Sequence, residues 1–245
     1  MTSTQRFRER YRREILPSRY SGLAHALGVF VVGLGVVLIA LVLASRQWRA
    51  VDFWIVPITL LIANLVEYTA HRGPMHHRVT VLSALFVRHT CRHHRYFRAD
   101  EMHFESTRDF HAVLFPPVLL LFFGGTAVLL GLIAALFLSR SAAALFVATS
   151  MSYYLCYEVL HFLYHVPPDW RAGRLPGVVW LARLHRTHHS HHGMRAHNYN
   201  LVFPLCDWIL GTLENGKTVR LPGNRGSAES LTLAHPDKSL PESQR

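Results

Sequence analysis

The sequence predicts an all-α integral membrane protein with about four transmembrane helices. Half of its 245 residues are hydrophobic, and only 17% are charged, whereas an ordinary soluble domain carries about a quarter charged residues. The hydrophobic residues are concentrated in four long runs. This composition also excludes a disordered chain, which would be poor in the same apolar and aromatic types.

Each hydrophobic run is about long enough to cross a bilayer as a helix. At a rise of 1.5 Å per residue, about 20 apolar residues span a hydrocarbon core of roughly 30 Å. The second run contains one charge, Glu67, near its end, and the third begins close to the pair Pro116–Pro117. Only Ser139 and Arg140 separate the third run from the fourth, which predicts a tight helical hairpin. The four runs cover residues 23–44, 53–70, 112–138 and 141–165.

The positive residues predict how these helices are oriented. Six Lys or Arg residues lie in 1–22, seven in 71–111 and ten in 166–245, against two in 45–52 and the lone Arg140. The positive-inside rule then places the N-terminus, the C-terminus and the 71–111 segment in the cytoplasm. The net charge of +11 is thus explained by membrane orientation, and we expect no nucleic-acid partner.

The chain is expected to consist of three parts. Residues 1–22 form a basic N-terminal leader, either a surface helix on anionic lipid or a solvated segment. Residues 23–213 form the membrane domain, and residues 214–245, rich in Pro, Ser, Gly and charge, are expected to be loosely ordered. The three cysteines are odd in number and widely spaced, which excludes a disulfide framework and a CxxC metal site.

Sixteen of the eighteen histidines lie within residues 71–111 or 161–197, two segments that are predicted to emerge on the same side of the membrane. Histidines three or four residues apart share one face of a helix, and imidazole is the commonest metal ligand near neutral pH. Four such clusters exceed the needs of one ion and suit two ions with four to six ligands each. The predicted ligands are His71, His76, His89, His93, His94, His161, His165, His185, His188 and His189.

The first of these clusters requires a turn in the chain. His71 and His76 are five residues apart, with Gly73–Pro74 between them. Proline disfavours helix at the residue before it, so we expect the chain to turn there and to bring His76 back towards His71. The complete fold prediction is a four-helix membrane domain with a cytosolic helical cap that holds a histidine-rich site for two metals.

Two carboxylates near the helix ends are predicted to orient the metal ligands. Glu67 lies four residues before one predicted ligand, and Glu158 lies three residues before another. Ionisable groups within membrane segments are costly and usually functional. We expect each carboxylate to accept the free ring N–H of a metal-bound histidine, with direct metal ligation as the alternative. His77 and His192 are expected to support the ligands in a similar way.

The ordered histidine boxes resemble the fatty acid hydroxylase superfamily, the integral-membrane histidine-box proteins that include sterol desaturases and carotenoid hydroxylases. The resemblance runs from about residue 60 to 213. One box departs from the usual pattern, because it reads HxxxHH where fatty acid and sterol members more often have HxxHH. The motifs that carry the resemblance are Glu67–His76, His89–His94, His161-x-x-x-His165, His185-x-x-His188-His189 and Phe203–Thr212.

The resemblance implies a dinuclear non-haem iron centre in the cap and O2-dependent chemistry on lipid C–H bonds, as in a membrane monooxygenase. Imidazole ligands suit iron, whereas zinc, which can replace iron in purified protein, has no redox chemistry. Two electrons must come from outside the chain, because it has no cysteine spacing for an iron–sulfur cluster. We therefore expect a separate electron-transfer protein to dock on the basic cytosolic face.

The expected substrate is a membrane lipid whose acyl chain enters between the helices. Arg72 and Arg95 are the predicted contacts for a phosphate or carboxylate of its head group, although both also suit a role as positive-inside anchors. A lipid hydroxylase is the leading prediction. The alternative on the same scaffold is a desaturase or a carotenoid hydroxylase, and the alternative of another class is a non-redox metal-binding or transport protein.

Overall fold

The computed structural model describes residues 1–45 and 48–214, so the tail predicted over 214–245 lies, except for Glu214, outside the described residues. The described residues form helices joined by turns and irregular segments and include no strand, which confirms the predicted all-α class. The ten α-helices are α1 (Ser3–Glu14), α2 (Gly22–Ala44), α3 (Ile55–Ala70), α4 (Ser83–Phe86), α5 (His94–Tyr96), α6 (Phe110–Val113), α7 (Pro117–Ala134), α8 (Arg140–Leu163), α9 (Pro176–His188) and α10 (Leu205–Ile209).

Four helical spans are long and apolar enough to cross a membrane: α2, α7, α8 and the continuous span Ala50–Met75, which contains α3 and the helical turns on either side of it. These spans coincide with the four predicted runs, although α7 is shorter than the third run, which covers residues 112–138. The backbone of Pro116 is extended, with ψ 145°, and Pro117 occupies the first helical turn, where a missing N–H costs nothing. Residues 110–113 therefore form the separate helix α6.

Helix α8 lies at the centre of the bundle, because α2, α3 and α7 all pack against it. Small residues allow this close packing. They are common where helices pack within a membrane, because the surrounding lipid is as apolar as the helices and van der Waals contact must hold them together. A Cβ atom added at Gly33 of α2 would approach the side chain of Leu155 on α8 to 2.6 Å. The outer faces of α2, α3 and α7 carry exposed Leu, Val, Ile and Phe side chains, which suit contact with lipid.

At one end of the bundle, short helices form a cap around the histidines. Helix α3 continues as a π-helical turn over His71–Met75, which is interrupted at Gly73 (ψ −105°) directly before a proline. A second π-helical segment, Val87–His93, joins α4 to α5. π-Helical turns are rare and frequently mark functional sites, and both of these carry predicted metal ligands.

The basic N-terminal segment forms helix α1 and docks on the cap. Arg8 is buried and donates hydrogen bonds to the carbonyls of Tyr96 and Glu101 at 2.9 and 2.6 Å. Arg12 forms two hydrogen bonds with the carboxylate of Asp109, at 2.9 and 2.7 Å. Because these partners lie about 90 residues away in the chain, the charge of the segment did not indicate this docking.

Candidate metal centre

Nine buried histidines form two compact groups at the cap end of the bundle. Within each group, one ring nitrogen from every histidine lies within 4.8 Å of the others, as a shared metal ion requires. We name the two groups site A and site B. Site A consists of His71, His76, His89, His94 and His188, and site B consists of His93, His165, His185 and His189.

His161, the tenth predicted ligand, lies beside site B. Its Nε2 atom is 3.1 Å from Nε2 of His93, which equals the separation between His165 and His185 within that site. The structure thus gathers all ten of the predicted histidines in or beside the two groups. Their coordination of metal remains a prediction.

Adjacent histidines are divided between the two sites. His93 belongs to site B and His94 to site A, and likewise His189 belongs to site B and His188 to site A. Successive residues of an α-helix project about 100° apart, so neighbouring imidazoles cannot face the same point. The pairs His93–His94 and His188–His189 therefore each direct one ring to each site and hold the two sites side by side.

The π-helical segment decides which histidines share a site. His89 and His94 are five residues apart and belong together in site A, with their Nε2 atoms 3.0 Å apart. His89 and His93, whose spacing predicted a common face, belong to different sites. In a π-helix the hydrogen bonds run from residue i to i+5, so residues five apart become neighbours. The α-helical spacing rule therefore grouped these histidines incorrectly.

Backbone carbonyls orient the imidazole rings. The Nδ1–H groups of His71 and His93 donate to the carbonyls of Tyr199 and Ala112. A neutral ring that donates from Nδ1 keeps the lone pair of Nε2 free for a metal. The same arrangement is found for His165 with Met102, His188 with His197, and His189 with Phe97.

The facing nitrogen atoms fit a bound cation. His93 and His189 both donate from Nδ1, yet their Nε2 atoms lie 3.1 Å apart, so neither has a proton to offer the other. Burial lowers the pKa values of both rings well below the ordinary value, which keeps them neutral. Two nitrogens bound at about 2.1 Å to one ion, at right angles, would lie about 3 Å apart. The donor set therefore fits a metal ion.

Glu67 orients a backbone segment instead of an imidazole, which corrects the role expected for it. Its carboxylate accepts hydrogen bonds from the backbone N–H of Leu201 and from the hydroxyl of Tyr153. The ring N–H of His71 is already taken by the carbonyl of Tyr199, two residues before Leu201. Glu67 thus acts on site A through the short stretch of chain that carries this carbonyl.

Glu158 acts on site B in the same indirect way. It accepts hydrogen bonds from the backbone N–H of Phe115 at 3.2 Å and from the hydroxyl of Tyr154 at 2.8 Å. Phe115 follows Ala112 by three residues, and the carbonyl of Ala112 accepts the ring N–H of His93 at 2.9 Å. The sequence spacing had paired each carboxylate directly with a histidine, whereas each one accepts a backbone N–H from a residue that is distant in the chain, Leu201 for Glu67 and Phe115 for Glu158.

The remaining predicted site residues lie at the surface of the cap. His77 and His192 are exposed. Arg72 is exposed and donates a hydrogen bond to the hydroxyl of Tyr68 at 2.7 Å, and Arg95 is exposed above an aromatic ring of α1. The supporting role of the two histidines and the lipid contacts of the two arginines stay predictions.

Asp207, to which sequence reasoning assigned no role, shapes the segment that presents a carbonyl to site A. Asp207 is completely buried and accepts the backbone N–H groups of Tyr199 and Asn200 at 2.9 and 2.7 Å. The hydroxyl of Thr212 donates to it at 2.7 Å. The closing motif around Asp207 was visible in the sequence, but only these contacts show that it positions the carbonyl that holds His71.

A cavity of about 220 Å³ extends from the histidines into the bundle, between α3, α7 and α8. Its lining is almost entirely apolar and runs from His71 at the cap end to Thr59, a distance of about 18 Å along α3. Ile62 and Val66 line the cavity and are each 51% exposed on the outer face of the bundle. The cavity is therefore open to the side that suits lipid.

Comparison with known proteins agrees with this site. A model of the family described as fatty acid hydroxylase matches residues 54–212, which include three of the four long helices and both histidine groups. No curated protein matches the sequence significantly.

A solved structure shows the same fold. It is the structure of full-length scs7p, in which only the hydroxylase domain is visible. The TM-score is 0.59, with 20% sequence identity, over 78% of this chain and 67% of that one. At this identity the likeness concerns the fold, whereas the family match covers more than half of the chain together with its histidine sites. The protein therefore belongs to the fatty acid hydroxylase family.

Proposed function

We propose that the protein is an O2-dependent hydroxylase that inserts one oxygen atom into a C–H bond of a membrane lipid at a centre of two iron ions. The apolar cavity that ends at His71 is the observation that carries this proposal. Such a cavity accepts a hydrocarbon chain and excludes water. A chain that fills it would place its C–H bonds beside site A.

The donor set of the two sites suits iron. Imidazole binds iron, zinc and copper, and neutral rings leave a bound cation strongly Lewis acidic. Two iron ions held by sites A and B would supply O2 activation, with two electrons delivered by a separate electron-transfer protein. Zinc binds the same ligands, so zinc in purified protein would be compatible with the proposal.

The protein's own groups hold the ligands and guide the lipid. The carbonyls of Tyr199 and Ala112 keep two imidazoles in the orientation that a metal requires. The side opening at Ile62 and Val66 would admit a chain directly from the bilayer. The head group would then stay near the cap, where the exposed Arg72 is a candidate contact.

We also propose that the cap faces the cytoplasm. The cap and α1 carry many arginines, whereas the other connecting segments hold only Arg140 and the two arginines of residues 45–52. This distribution is the one that the positive-inside rule associates with the cytoplasmic side. A basic cap would also attract an acidic electron-transfer partner.

Mass spectrometry of lipids from cells with and without the protein tests the proposed function. We expect a lipid that gains one oxygen atom in cells with the protein, and loss of that product in the His188→Ala and His189→Ala variants. The exposed His191 offers a matched control, since its replacement by alanine should leave the product unchanged.

Other outcomes would redirect the proposal. Loss of two hydrogens would indicate a desaturase, and an oxygenated carotenoid would indicate a carotenoid hydroxylase. Unchanged lipids from a protein that still binds metal would contradict an oxidative enzyme and favour a metal-binding or transport protein.

A further inference from the structure

One polar atom beside the cavity has no hydrogen-bond partner. Tyr157 lies on α8, one turn before His161, lines the cavity and is only 7% exposed. Its hydroxyl is buried and makes no hydrogen bond with any residue in the described part of the chain. Because an unpaired buried hydroxyl is costly, such groups are rare in folded proteins and call for an explanation.

The two other tyrosines that line the cavity on the same helix are fully engaged. Tyr153 donates to the carboxylate of Glu67, and Tyr154 donates to the carboxylate of Glu158 at 2.8 Å. Both hydroxyls support segments that hold metal-site histidines. Tyr157 has no such partner: the residue lines the cavity, but its hydroxyl has less than 1 Å² of accessible surface. A molecule in the cavity would therefore reach this hydroxyl once the neighbouring lining side chains shift slightly.

The ring of Tyr157 is held in place even though its hydroxyl is free. It stacks on Phe115, with ring centroids 5.2 Å apart and planes at 8°, and it packs against His161 with centroids 5.6 Å apart. A donor on a fixed ring is preorganised, so it loses little conformational entropy when it binds an acceptor.

Tyr157 lies at the end of the cavity nearest the histidines. His71 and Met75 line this end, whereas Thr59 and Phe146 line the far end. A substrate oxygen that bonds to Tyr157 would therefore lie close to site A, and the hydrocarbon attached to it would extend towards the far end. This geometry would fix which carbon lies nearest the metal centre.

We propose that the Tyr157 hydroxyl donates a hydrogen bond to a carbonyl or hydroxyl oxygen of the lipid and so selects both the substrate class and the carbon that reacts. The inference rests on the proposed function. The substrate is then a lipid whose oxygen function enters the cavity, such as an acyl ester or amide. A pure hydrocarbon, such as a carotene, would leave this donor unpaired and is disfavoured.

Ligand binding by the Tyr157→Phe variant tests the inference without requiring turnover. Binding of methyl palmitate and of hexadecane to the purified, metal-containing protein in detergent is measured by competition with a fluorescent fatty-acid probe. Loss of one neutral hydrogen bond should raise the dissociation constant of methyl palmitate about 3- to 10-fold. The dissociation constant of hexadecane should stay within about twofold of the wild-type value. Comparing the two proteins for each ligand cancels the partition of that ligand into the micelles.

The Tyr154→Phe variant is the matched control, because its hydroxyl is occupied by Glu158. We expect it to keep the wild-type ratio of the two dissociation constants and to lower the melting temperature. Tyr157→Phe should leave the melting temperature unchanged or raise it, since the variant removes an unpaired polar group. A clear fall in the melting temperature of Tyr157→Phe would show a structural role for the hydroxyl and overturn the inference.

The binding result is separable from the proposed function. If wild-type protein shows no preference for the ester, or if Tyr157→Phe retains that preference, the inference is wrong and the hydroxylase proposal still stands. If the preference is lost in Tyr157→Phe but no lipid is oxidised in cells, the binding site stands and the hydroxylase proposal fails.

Discussion

At the residue scale, the centre depends on which nitrogen of each imidazole carries its proton. Carbonyl oxygens accept Nδ1–H groups in both sites, so the Nε2 lone pairs turn inward. Two of these carbonyls belong to segments that carboxylates hold by a backbone N–H, Glu67 at Leu201 and Glu158 at Phe115. Each carboxylate therefore supports one site without touching an imidazole.

Replacement of Glu67 by alanine should weaken metal binding at site A alone. It would leave the N–H of Leu201 and the hydroxyl of Tyr153 without their acceptor and loosen the carbonyl that holds His71. Loss of such a support typically lowers metal affinity 10- to 100-fold. We expect metal analysis of the purified variant to show about one ion per chain where the wild type holds two.

Double variants assign this loss to a site. Adding His188→Ala, in site A, to Glu67→Ala should leave the metal content at about one ion per chain. Adding His189→Ala, in site B, should remove the remaining ion. The opposite pattern would contradict the link between Glu67 and site A.

At the element scale, the cap is held together by the docked N-terminal helix. Arg8 of α1 bonds the carbonyl of Tyr96, and the next residue, Phe97, supplies the carbonyl that holds His189. Arg12 bonds Asp109, which also accepts the hydroxyl proton of Tyr96 at 2.6 Å. Helix α1 therefore secures the segment that follows the histidines of the second π-helical turn.

Docking of α1 should depend on pH through Asp109. Burial opposes the charged form of this carboxyl, but hydrogen bonds from Arg12 and Tyr96 hold its pKa below the ordinary value. A depressed folded-state pKa stabilises the docked helix above the unfolded value, about 3.9 for Asp, and the stabilisation is lost as pH falls through the folded-state pKa. We expect the protection of residues 3–14 against hydrogen exchange, relative to the intrinsic rate at each pH, to stay constant at pH 5–7 and to fall in stronger acid.

The Asp109→Asn variant should release α1 already at neutral pH. Hydrogen bonds to charged groups contribute about 1.5–3 kcal/mol, so protection of residues 3–14 should fall at least tenfold. The exposed Glu14, 4.0 Å from Arg10, serves as control, because replacing it with Gln should change protection little. Equal protection in Asp109→Asn and wild type would contradict this anchoring role.

At the scale of the whole molecule, one central helix links the membrane bundle to the metal centre. Helix α8 packs against α2, α3 and α7, lines the cavity, and places His161, in its last turn, beside site B. The cavity opens laterally between lipid-facing side chains and closes at the histidines. Under the proposed function, this arrangement would bring an apolar chain to a polar centre with little exposure of either to water.

Labelling with a membrane-impermeant maleimide tests the proposed orientation. Phe137 lies in the turn between α7 and α8 and is 81% exposed, and the side chain of Arg10 on α1 is 54% exposed. We expect Phe137→Cys to react in intact cells and Arg10→Cys to react only after lysis, each compared with the unmodified chain. If only Arg10→Cys reacted in intact cells, the topology would be the opposite of the one proposed.

Much of the fold and the set of site histidines could be predicted from the sequence. Hydropathy over about 20 residues and the ends set by proline are local properties, so the four long helices coincide with the apolar runs. The clustering of histidines at one end follows from their positions relative to those runs. The grouping of these ten histidines was therefore predictable without coordinates, and their binding of metal stays a prediction.

The sequence by itself determined that this chain is a membrane bundle with ten histidines at one end, because apolar length and helical spacing are encoded in neighbouring residues. Only the tertiary structure decided how those histidines divide into sites A and B. In the π-helical segment, the histidines that share a site are five residues apart instead of four. The indirect roles of the carboxylates, the docking of α1 and the unpaired hydroxyl of Tyr157 depend on residues that are distant in the chain. Such contacts exist only once the helices have packed.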